Sequence, residues 1–413
     1  MLCGAAVWIA ACGAEGPTGR ELGGSSIPEP PGGAGTPDDT ANDPGNPAQT
    51  ASSELRLRVP DGTRVTLDSV RVSSGSPAVM DVQSATGPTI VVPRAGAALV
   101  SVVAVDEDGE VLDASTSGAG CAVPALGEER VLVVPDAYAS IQEAIDAAAY
   151  GDTVFVQPGE YHEHLRLRSG VRLVGAGAAA TVLDGKGLGE NLIDYTGAQN
   201  AVVRGFTLRN VGRAEGCAQD DVLACSGNWY AAAVYADGHT LPSNDCDRPS
   251  LLLTQSVIEG NKIGVMLYHH ALAVVWNNVF LHNTHAFVAN HLQDHAVVAQ
   301  NVFYGNSAHA LAAGAAELDV LNNVLVANGV ALEQEYVQRG RVRCNVLFDN
   351  DSTGNVIVPG EDGNLVADPL LAGLLAGDFH PAAGSPALTA GCLGEDEVES
   401  VAAGAHGGPL GAW

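Results

Sequence analysis

Histidine is concentrated in one short stretch of this 413-residue chain. Seven of its 12 histidines lie between residues 269 and 309. In the sequence His291-Leu292-Gln293-Asp294-His295, two imidazoles stand beside a carboxylate. Neutral imidazoles near a carboxylate can act as acid and base, or can bind a transition metal. His291 and His295 are therefore candidate catalytic residues. The alternative is that they are polar residues of surface turns.

Two glutamates form a second candidate acid–base pair. Glu333 and Glu335 are two residues apart on a predicted strand, so both side chains should point to the same face. Carboxylates at that spacing can serve as general acid and general base. The alternative is a solvated edge, with Arg339, Arg341 and Arg343 of the next strand neutralising the two charges.

The same strand alternation predicts an outer face that could bind a ligand. It places Tyr268 and Asn290 outward in two successive repeats, and it extends that face to Glu335. In the intervening repeat the same offset places Leu311 and Ala313 outward. A tyrosine, an amide and carboxylates on one face could line a sugar-binding groove. We therefore take Tyr268 and Asn290 as ligand-binding candidates.

A repeat of about 22 residues must position these side chains. It is visible in two columns of asparagine and two of valine. Such a period predicts a solenoid, and strand patterning with asparagine at the turns is typical of one coil of a parallel β-helix. Stacked coils would join the asparagines by hydrogen bonds and fill the bore with the apolar columns. The columns are Asn261, Asn283, Asn306, Asn328 and Asn350; Asn278, Asn301, Asn323 and Asn345; Val279, Val302, Val324 and Val346; and Val275, Val298, Val320 and Val342.

One interval in the repeat is too long for a single coil. Asn210 and Asn261 are 51 residues apart, so an excursion of roughly 30 residues must leave the solenoid within 211–250. Loops that leave a rigid scaffold often form one wall of its binding groove. Trp229 and Tyr230 lie in this excursion and could stack on a sugar ring, so they complete the ligand-binding candidates.

Composition excludes several classes of protein. With 19 basic and 48 acidic side chains the formal net charge is −29, which argues against nucleic-acid binding and against docking on anionic lipid. The 50 glycines and 21 prolines argue against a helix bundle. At 46% hydrophobic, the chain can bury a sizeable core.

The N-terminus suggests export. Ile9-Ala10-Ala11-Cys12 resembles a bacterial lipobox, in which the cysteine, here Cys12, is acylated, although no Lys or Arg precedes it. Residues 1–12 would be a signal remnant and residues 13–53, which are polar and rich in Gly and Pro, a flexible tether. We expect an exported outer-membrane or cell-surface lipoprotein, with a periplasmic location as the alternative. In an exported protein, six further cysteines suggest disulfides.

Two shorter patterns complete the domain organisation. Short alternating strands over 54–120 predict a small β-sandwich. Ser140 and Glu143 form a capping box at the start of a helix whose apolar residues share one face. This helix lies near the start of the predicted β-helix domain, 133–413.

The run SIQEAIDAAAYGDTVFVQPGEYHEHLRLRSGVRLVGAG resembles the opening segment of right-handed parallel β-helix proteins, the pectin-lyase-like superfamily. The C-terminal pieces ADPL, GDFHP, GSPA and GAHGGP resemble it too. The resemblance implies an all-β, right-handed parallel β-helix with an N-terminal helical cap. Enzymes of this fold include lyases that use Ca²⁺ and hydrolases that use paired aspartates. The polygalacturonase motifs are not present as a set, because His285 stands where that pattern has aspartate.

Three hypotheses of function follow. The first is an exported, lipid-anchored β-helix protein that engages a polysaccharide or cell-surface glycan. The second is a polysaccharide lyase or glycoside hydrolase, and the third a non-catalytic structural or adhesive surface protein. We expect a monomer without nucleic-acid partners, held at the membrane only by its lipid. No cofactor is certain, and Ca²⁺ or a transition metal would fit the second hypothesis.

Overall fold

The computed structural model describes the strands between residues 54 and 117, residue 124, and residues 129–187, 189–212, 231–239, 247–291, 294–335, 340–373 and 378–390. Cys12, Trp229 and Tyr230, which the sequence suggests for lipidation and ligand binding, lie outside these residues.

The first six strands form two antiparallel sheets. One has four strands in the order β3-β2-β5-β6, and the other pairs β1 with β4. Antiparallel sheets of short strands are what the alternation over 54–120 indicates. The strands are β1 (Glu54–Arg58), β2 (Val65–Arg71), β3 (Val79–Val82), β4 (Thr89–Pro93), β5 (Val100–Asp106) and β6 (Val111–Ser117).

A capped helix precedes the regular coils. Helix α1 (Ile141–Ala147) starts after Ser140, whose side chain accepts a hydrogen bond from the Glu143 amide at 3.2 Å. The Glu143 carboxylate accepts one from the amide of Ala139, the residue before the cap, at 3.1 Å, so the predicted capping box forms with its return bond displaced by one residue. Ile141, Ala144 and Ile145 are buried and join the main core. No helix in the described part of the chain is long and apolar enough to cross a membrane.

From β7 to β32 the chain winds into a parallel β-helix with three sheets. Sheet 1 comprises β10 (Leu165–Arg166), β13 (Ile193–Asp194), β16 (Ala232–Asp237), β19 (Ile263–Tyr268), β22 (His285–Ala289), β25 (His309–Ala313), β28 (Val330–Gln334) and β31 (Ser352–Gly354). Sheet 2 comprises β7 (Val131–Val134), β8 (Thr153–Val156), β11 (Arg172–Gly175), β14 (Ala201–Arg204), β17 (Ser250–Thr254), β20 (Leu272–Trp276), β23 (His295–Ala299), β26 (Glu317–Leu321) and β29 (Val342–Arg343). Sheet 3 comprises β9 (Gly159–Tyr161), β12 (Thr181–Asp184), β15 (Thr207–Arg209), β18 (Val257–Glu259), β21 (Val279–Leu281), β24 (Val302–Tyr304), β27 (Val324–Val326), β30 (Val346–Phe348) and β32 (Leu365–Val366).

Asparagine ladders run along two of the three corners. At the corner between sheets 3 and 1, Asn306 donates from Nδ2 to Asn328 Oδ1 at 2.8 Å and to the Phe280 carbonyl at 3.2 Å. Its own Oδ1 accepts from both the backbone amide and the Nδ2 of Asn283, each at 3.0 Å. The column of Asn278 forms the same ladder between sheets 2 and 3, and Asn364 extends it. The predicted structural role of the asparagines is confirmed.

One valine column fills the bore and the other does not. Val275, Val298, Val320 and Val342 belong to the main buried core, as predicted. The prediction is wrong for Val279, Val302, Val324 and Val346. These lie on the outer side of sheet 3, because their neighbours, such as Phe280, Phe303 and Leu325, point into the bore. Strands buried on both sides read as continuous apolar runs, so the sequence does not distinguish the sides.

A C-terminal segment covers that outer side of sheet 3. It contains β33 (Leu371–Gly373), β34 (Asp378–Pro381) and α2 (Ala387–Ala390). Phe379 and Ala387 are buried against the outer valines. The Phe379 ring lies 6.0 Å from that of Tyr304 at the end of β24. The segment therefore gives sheet 3 a second, outer core.

The outer side of sheet 2 is apolar and buried as well. Leu252, Val274, Trp276 and Val297 form a separate buried cluster there. Strand β6 lies against β17, and Asp113 of β6 pairs with Arg172 of β11 at 3.0 Å. The N-terminal sheets thus contact sheet 2.

Candidate functional site

Sheet 1 carries the polar outer face. One column of outward positions runs Tyr235, Met266, Val288, Ala312 and Glu333, as the strand pairing shows. A second column contains Asp237 and Tyr268 and continues through Asn290 and Gly314 to Glu335. Tyr268 and Asn290 are half-buried, whereas Glu333 and Glu335 are exposed.

The predicted outward positions of β25 are wrong by one residue. Leu311 is fully buried and Ala313 is 5% exposed, and both belong to the main core. The cause is an extra residue in the preceding turn. The amides of Ala308 and His309 both donate to the Thr284 carbonyl, at 2.9 and 3.2 Å, so two residues oppose one. This local bulge shifts β25 and leaves the small residues Ala312 and Gly314 facing outward.

The long interval between Asn210 and Asn261 contains a strand of the solenoid. Strand β16, within 211–250, pairs in parallel with β13 and β19. The extra residues are therefore divided into one part before β16 and one after it, and they do not form a single excursion. Because β16 is in register, its Tyr235 and Asp237 enter the outer face of sheet 1.

Three histidines and a tyrosine pack together where sheet 1 turns toward sheet 2. The rings of His269 and His291 stack with centroids 3.9 Å apart, and Tyr268 meets His291 edge-on at 4.4 Å. His239 lies 4.5 Å from His269, and the carboxylate of Asp237 contacts His269 Nδ1 at 3.1 Å. We call these five residues the histidine cluster. Burial, followed by the neighbouring His269, lowers the pKa of His291, so its neutral form is favoured.

A buried carboxylate holds the turn beneath this cluster. Asp294 is fully buried and accepts hydrogen bonds from the amides of Ala271, at 3.0 Å, and His291, at 2.8 Å. Burial raises the pKa of Asp294 to about 7, and the two amides oppose this shift. Asp294 therefore fixes the backbone that presents His291.

A second group joins three strands of sheet 1. His309 Nε2 lies 2.8 Å from Glu333 Oε2, and His309 Nδ1 lies 3.1 Å from His285 Nδ1. The two imidazole rings are nearly parallel, with centroids 5.1 Å apart. Burial lowers the pKa of His285 to about 4, with further lowering from His309 and Lys262. We call Glu333, His309 and His285 the histidine–glutamate chain.

The structure separates the residues that the sequence suggests for catalysis. His291 belongs to the histidine cluster, whereas His295 starts β23 in sheet 2 and contacts Glu317 at 3.5 Å. Glu333 belongs to the histidine–glutamate chain. Glu335 is exposed next to it, and Arg341, expected to neutralise the glutamates, pairs with Asp319 at 2.8 Å.

The site residues predicted from the sequence did not include five participants: Asp237, His239, His269, His285 and His309. His285 and His309 are 24 residues apart, two more than the usual period, so the columns do not align them. The bulge that precedes β25 brings them opposite each other. Within the described part of the chain, no group of three or more His, Cys, Asp or Glu residues could hold a metal ion.

Comparisons with known proteins find only distant similarities. No family model and no curated protein matches it. Solved structures similar to it include a pectin methylesterase from Erwinia chrysanthemi, with 11% identity, coverage of 63% of this chain and 99% of that one, and a TM-score of 0.31. The catalytic unit of a GH87 α-1,3-glucanase from Streptomyces thermodiastaticus has 20% identity, 80% and 63% coverage and a TM-score of 0.36. A family 28 exopolygalacturonase from Yersinia enterocolitica has 14% identity, 78% and 80% coverage and a TM-score of 0.30. At these identities and TM-scores the similarities say nothing of substrate or reaction. The three parallel sheets show that the chain is a parallel β-helix protein.

Proposed function

We propose that the protein binds carbohydrate along the outer face of sheet 1. The observation that carries the proposal is the contrast between its three outer faces. Those of sheets 2 and 3 each carry a buried apolar cluster. That of sheet 1, beside the buried Met266, presents aromatic, amide, imidazole and carboxylate groups that are half-buried or exposed. A half-buried apolar ring among hydrogen-bonding groups suits a sugar, which has apolar and hydroxyl-bearing surfaces.

The shape of the face fits an elongated ligand. Tyr268 and Glu335 are three strands apart, which is roughly 14 Å at the spacing of strands in a sheet. Between them the outward positions hold Asn290 and the smaller residues Val288, Ala312 and Gly314. A chain of sugar rings could lie over this floor, parallel to the solenoid axis.

The charge of the face favours a neutral glycan. Asp237, Glu333 and Glu335 are carboxylates, and the whole chain carries a net charge of −29. A polyanionic glycan would be repelled unless cations screened the charges. We therefore expect uncharged polysaccharides to bind more tightly than uronate-rich ones.

A glycan array followed by calorimetry on the best neutral oligosaccharide tests the proposal. Tyr268→Ala, His291→Ala and Glu335→Gln should each weaken binding by about tenfold or more, equivalent to ~1.4 kcal/mol. Glu361→Gln, at an exposed position away from sheet 1, is the matched control and should bind normally. If all three variants bind as the parent does while remaining folded, the site is elsewhere.

Export and lipid anchoring belong to the same proposal. They are supported by the lipobox-like Ile9-Ala10-Ala11-Cys12 and by the polar residues 13–53 that follow. The protein, expressed with its native upstream codons, should partition into detergent. Cys12→Ala should abolish that partition, and an unchanged membrane association would refute the anchor.

A further inference from the structure

The histidine–glutamate chain has the connectivity of a proton relay. Glu333 is exposed and accepts a hydrogen bond from His309 Nε2 at 2.8 Å, which assigns the proton of neutral His309 to Nε2. His309 Nδ1 then carries a lone pair, and the nitrogen 3.1 Å away, His285 Nδ1, must bring the proton between them. His285 is left with a lone pair on Nε2.

Position connects this chain of contacts with the proposed ligand surface. His285 and His309 face outward on β22 and β25, three residues before Val288 and Ala312. Glu333 is in the same outward column as those two small residues. The relay therefore borders the floor over which the ligand would lie, and it is separate from the histidine cluster.

We propose that Glu333, His309 and His285 form a catalytic proton relay for hydrolysis of an ester group on a bound glycan. Water bound at His285 Nε2 loses a proton to that nitrogen, and the Nδ1 proton of His285 moves to His309 Nδ1. The hydroxide oxygen bonds to the acyl carbon, whose carbonyl π electrons move to its oxygen. As the carbonyl re-forms, the bond to the sugar oxygen breaks, and that oxygen takes the proton back through the relay. The products are a carboxylic acid and a free hydroxyl.

The arrangement supports this reaction class on two grounds. A relay ending in a single nitrogen can act first as base and then as acid on the same side of the substrate, as acyl transfer requires. Glycosidic cleavage instead uses two carboxyl groups that flank the bond, one as acid and the other as base or nucleophile. The relay also removes a difficulty, because the low pKa of His285 would make it a weak base alone. Here the proton comes to rest on His309, between His285 and the Glu333 carboxylate.

The relay itself is tested by nitrogen-15 NMR of histidine-labelled protein at neutral pH. His309 should carry its proton on Nε2 and His285 on Nδ1. Glu333→Gln should disturb both assignments, whereas Glu361→Gln should leave them unchanged. If His285 carries its proton on Nε2, or if Glu333→Gln changes neither histidine, the relay does not exist.

Activity is tested with p-nitrophenyl acetate, which needs no glycan binding, and with an acetylated neutral polysaccharide. His285→Gln and His309→Gln should each lower kcat by about 100-fold or more, the usual contribution of a general base. Glu333→Gln should lower it less, and His162→Gln, an exposed histidine outside sheet 1, should leave it unchanged.

The outcomes separate this inference from the function on which its substrate class rests. If the protein hydrolyses p-nitrophenyl acetate through the relay but binds no glycan, the proposed carbohydrate substrate is refuted and the proposed ester hydrolysis is retained. Glycan binding with no ester hydrolysis, or with hydrolysis unaffected by His285→Gln, would refute the relay as a catalytic device and retain the binding site.

Discussion

The outer faces of sheet 3 and sheet 1 arise from the same repeat but carry opposite chemistry. Sheet 3 repeats valine at one outward position in five successive coils, from Val257 to Val346, and Phe379 and Ala387 pack against that column. Sheet 1 changes residue type from coil to coil, from Tyr235 to Glu333. The bore constrains only the inward residues of each strand. The outward residues of sheet 3 meet a fixed protein segment, and those of sheet 1 are where we propose a polar ligand.

The strongest test of this contrast places the same charge on each face. Val302→Asp would bury an unpaired carboxylate under the C-terminal segment and should lower the free energy of unfolding by about 4 kcal/mol or more, as Val298→Asp should in the bore. Ala312→Asp, on the half-buried face of sheet 1, should cost about 1 kcal/mol or less. Urea unfolding measures all three. If Val302→Asp leaves the free energy of unfolding unchanged, the outer side of sheet 3 is not covered.

Removing the cover should have the next largest effect. Phe379→Ala leaves a cavity over the outer valines and should cost about 3 kcal/mol. Phe348→Ala is the control, because this phenylalanine, at the end of β30, is 36% exposed and should cost about 1 kcal/mol. Equal shifts in melting temperature for the two variants would contradict the cover.

Replacing a corner asparagine with alanine should destabilise the protein more than replacing the asparagine on the outer face of sheet 1. Asn306→Ala removes four side-chain hydrogen bonds within a fully buried ladder and should cost about 3 kcal/mol. Asn290→Ala, on the half-buried face of sheet 1, should cost about 1 kcal/mol or less. Chemical unfolding of the two variants compares them directly. A small loss of stability in Asn306→Ala would argue against the ladder.

Asp294, at the turn between sheets 1 and 2, should make the free energy of unfolding depend on pH. Its pKa is raised to about 7 in the folded state, above its value of ~3.9 in the unfolded chain. This group's contribution to stability is therefore fully present below about pH 4 and is lost as the pH rises through 7. Between these limits Asp294→Asn, which cannot ionise, should become more stable relative to the parent by on the order of 4 kcal/mol, because the shift is about three pKa units. If the parent and the variant differ in free energy of unfolding by the same amount at all pH values, the raised pKa of Asp294 is refuted.

The smallest effect on stability belongs to the exposed carboxylate of the open face. Glu335→Gln should change the free energy of unfolding by less than about 0.5 kcal/mol, because the side chain is exposed. The same variant should weaken glycan binding, which would separate the role of this face in binding from its role in folding. A destabilisation as large as that of Asn306→Ala would mean that the face is part of the folding core.

Much of the fold could be predicted from spacing alone. The asparagine columns and the valines of the bore recur at nearly constant intervals, since each stacks on its equivalent in the next coil. The side on which Val302 packs could not be predicted, because both sides of its strand are apolar and the covering Phe379 is distant in sequence. The contact of His285 with His309 could not be predicted either. It depends on one inserted residue whose effect on register appears only when the strands pair.

The inserted residue before β25 is compensated within the same coil. The step from the corner asparagine to the first residue of the strand is three residues here, from Asn306 to His309, where two are usual. The next step, from the sheet 1 strand to the sheet 2 strand, is eight residues, from His309 to Glu317. The equivalent step from Ile263 to Leu272 is nine residues. The two differences cancel, so both asparagine ladders stay in step while one strand alone changes its outward residues. Homologous chains could therefore diversify this surface one coil at a time, by matched insertion and deletion, without disturbing the rest of the solenoid. Alignments made at a fixed period would mistake such a change for a substitution of every residue in the strand.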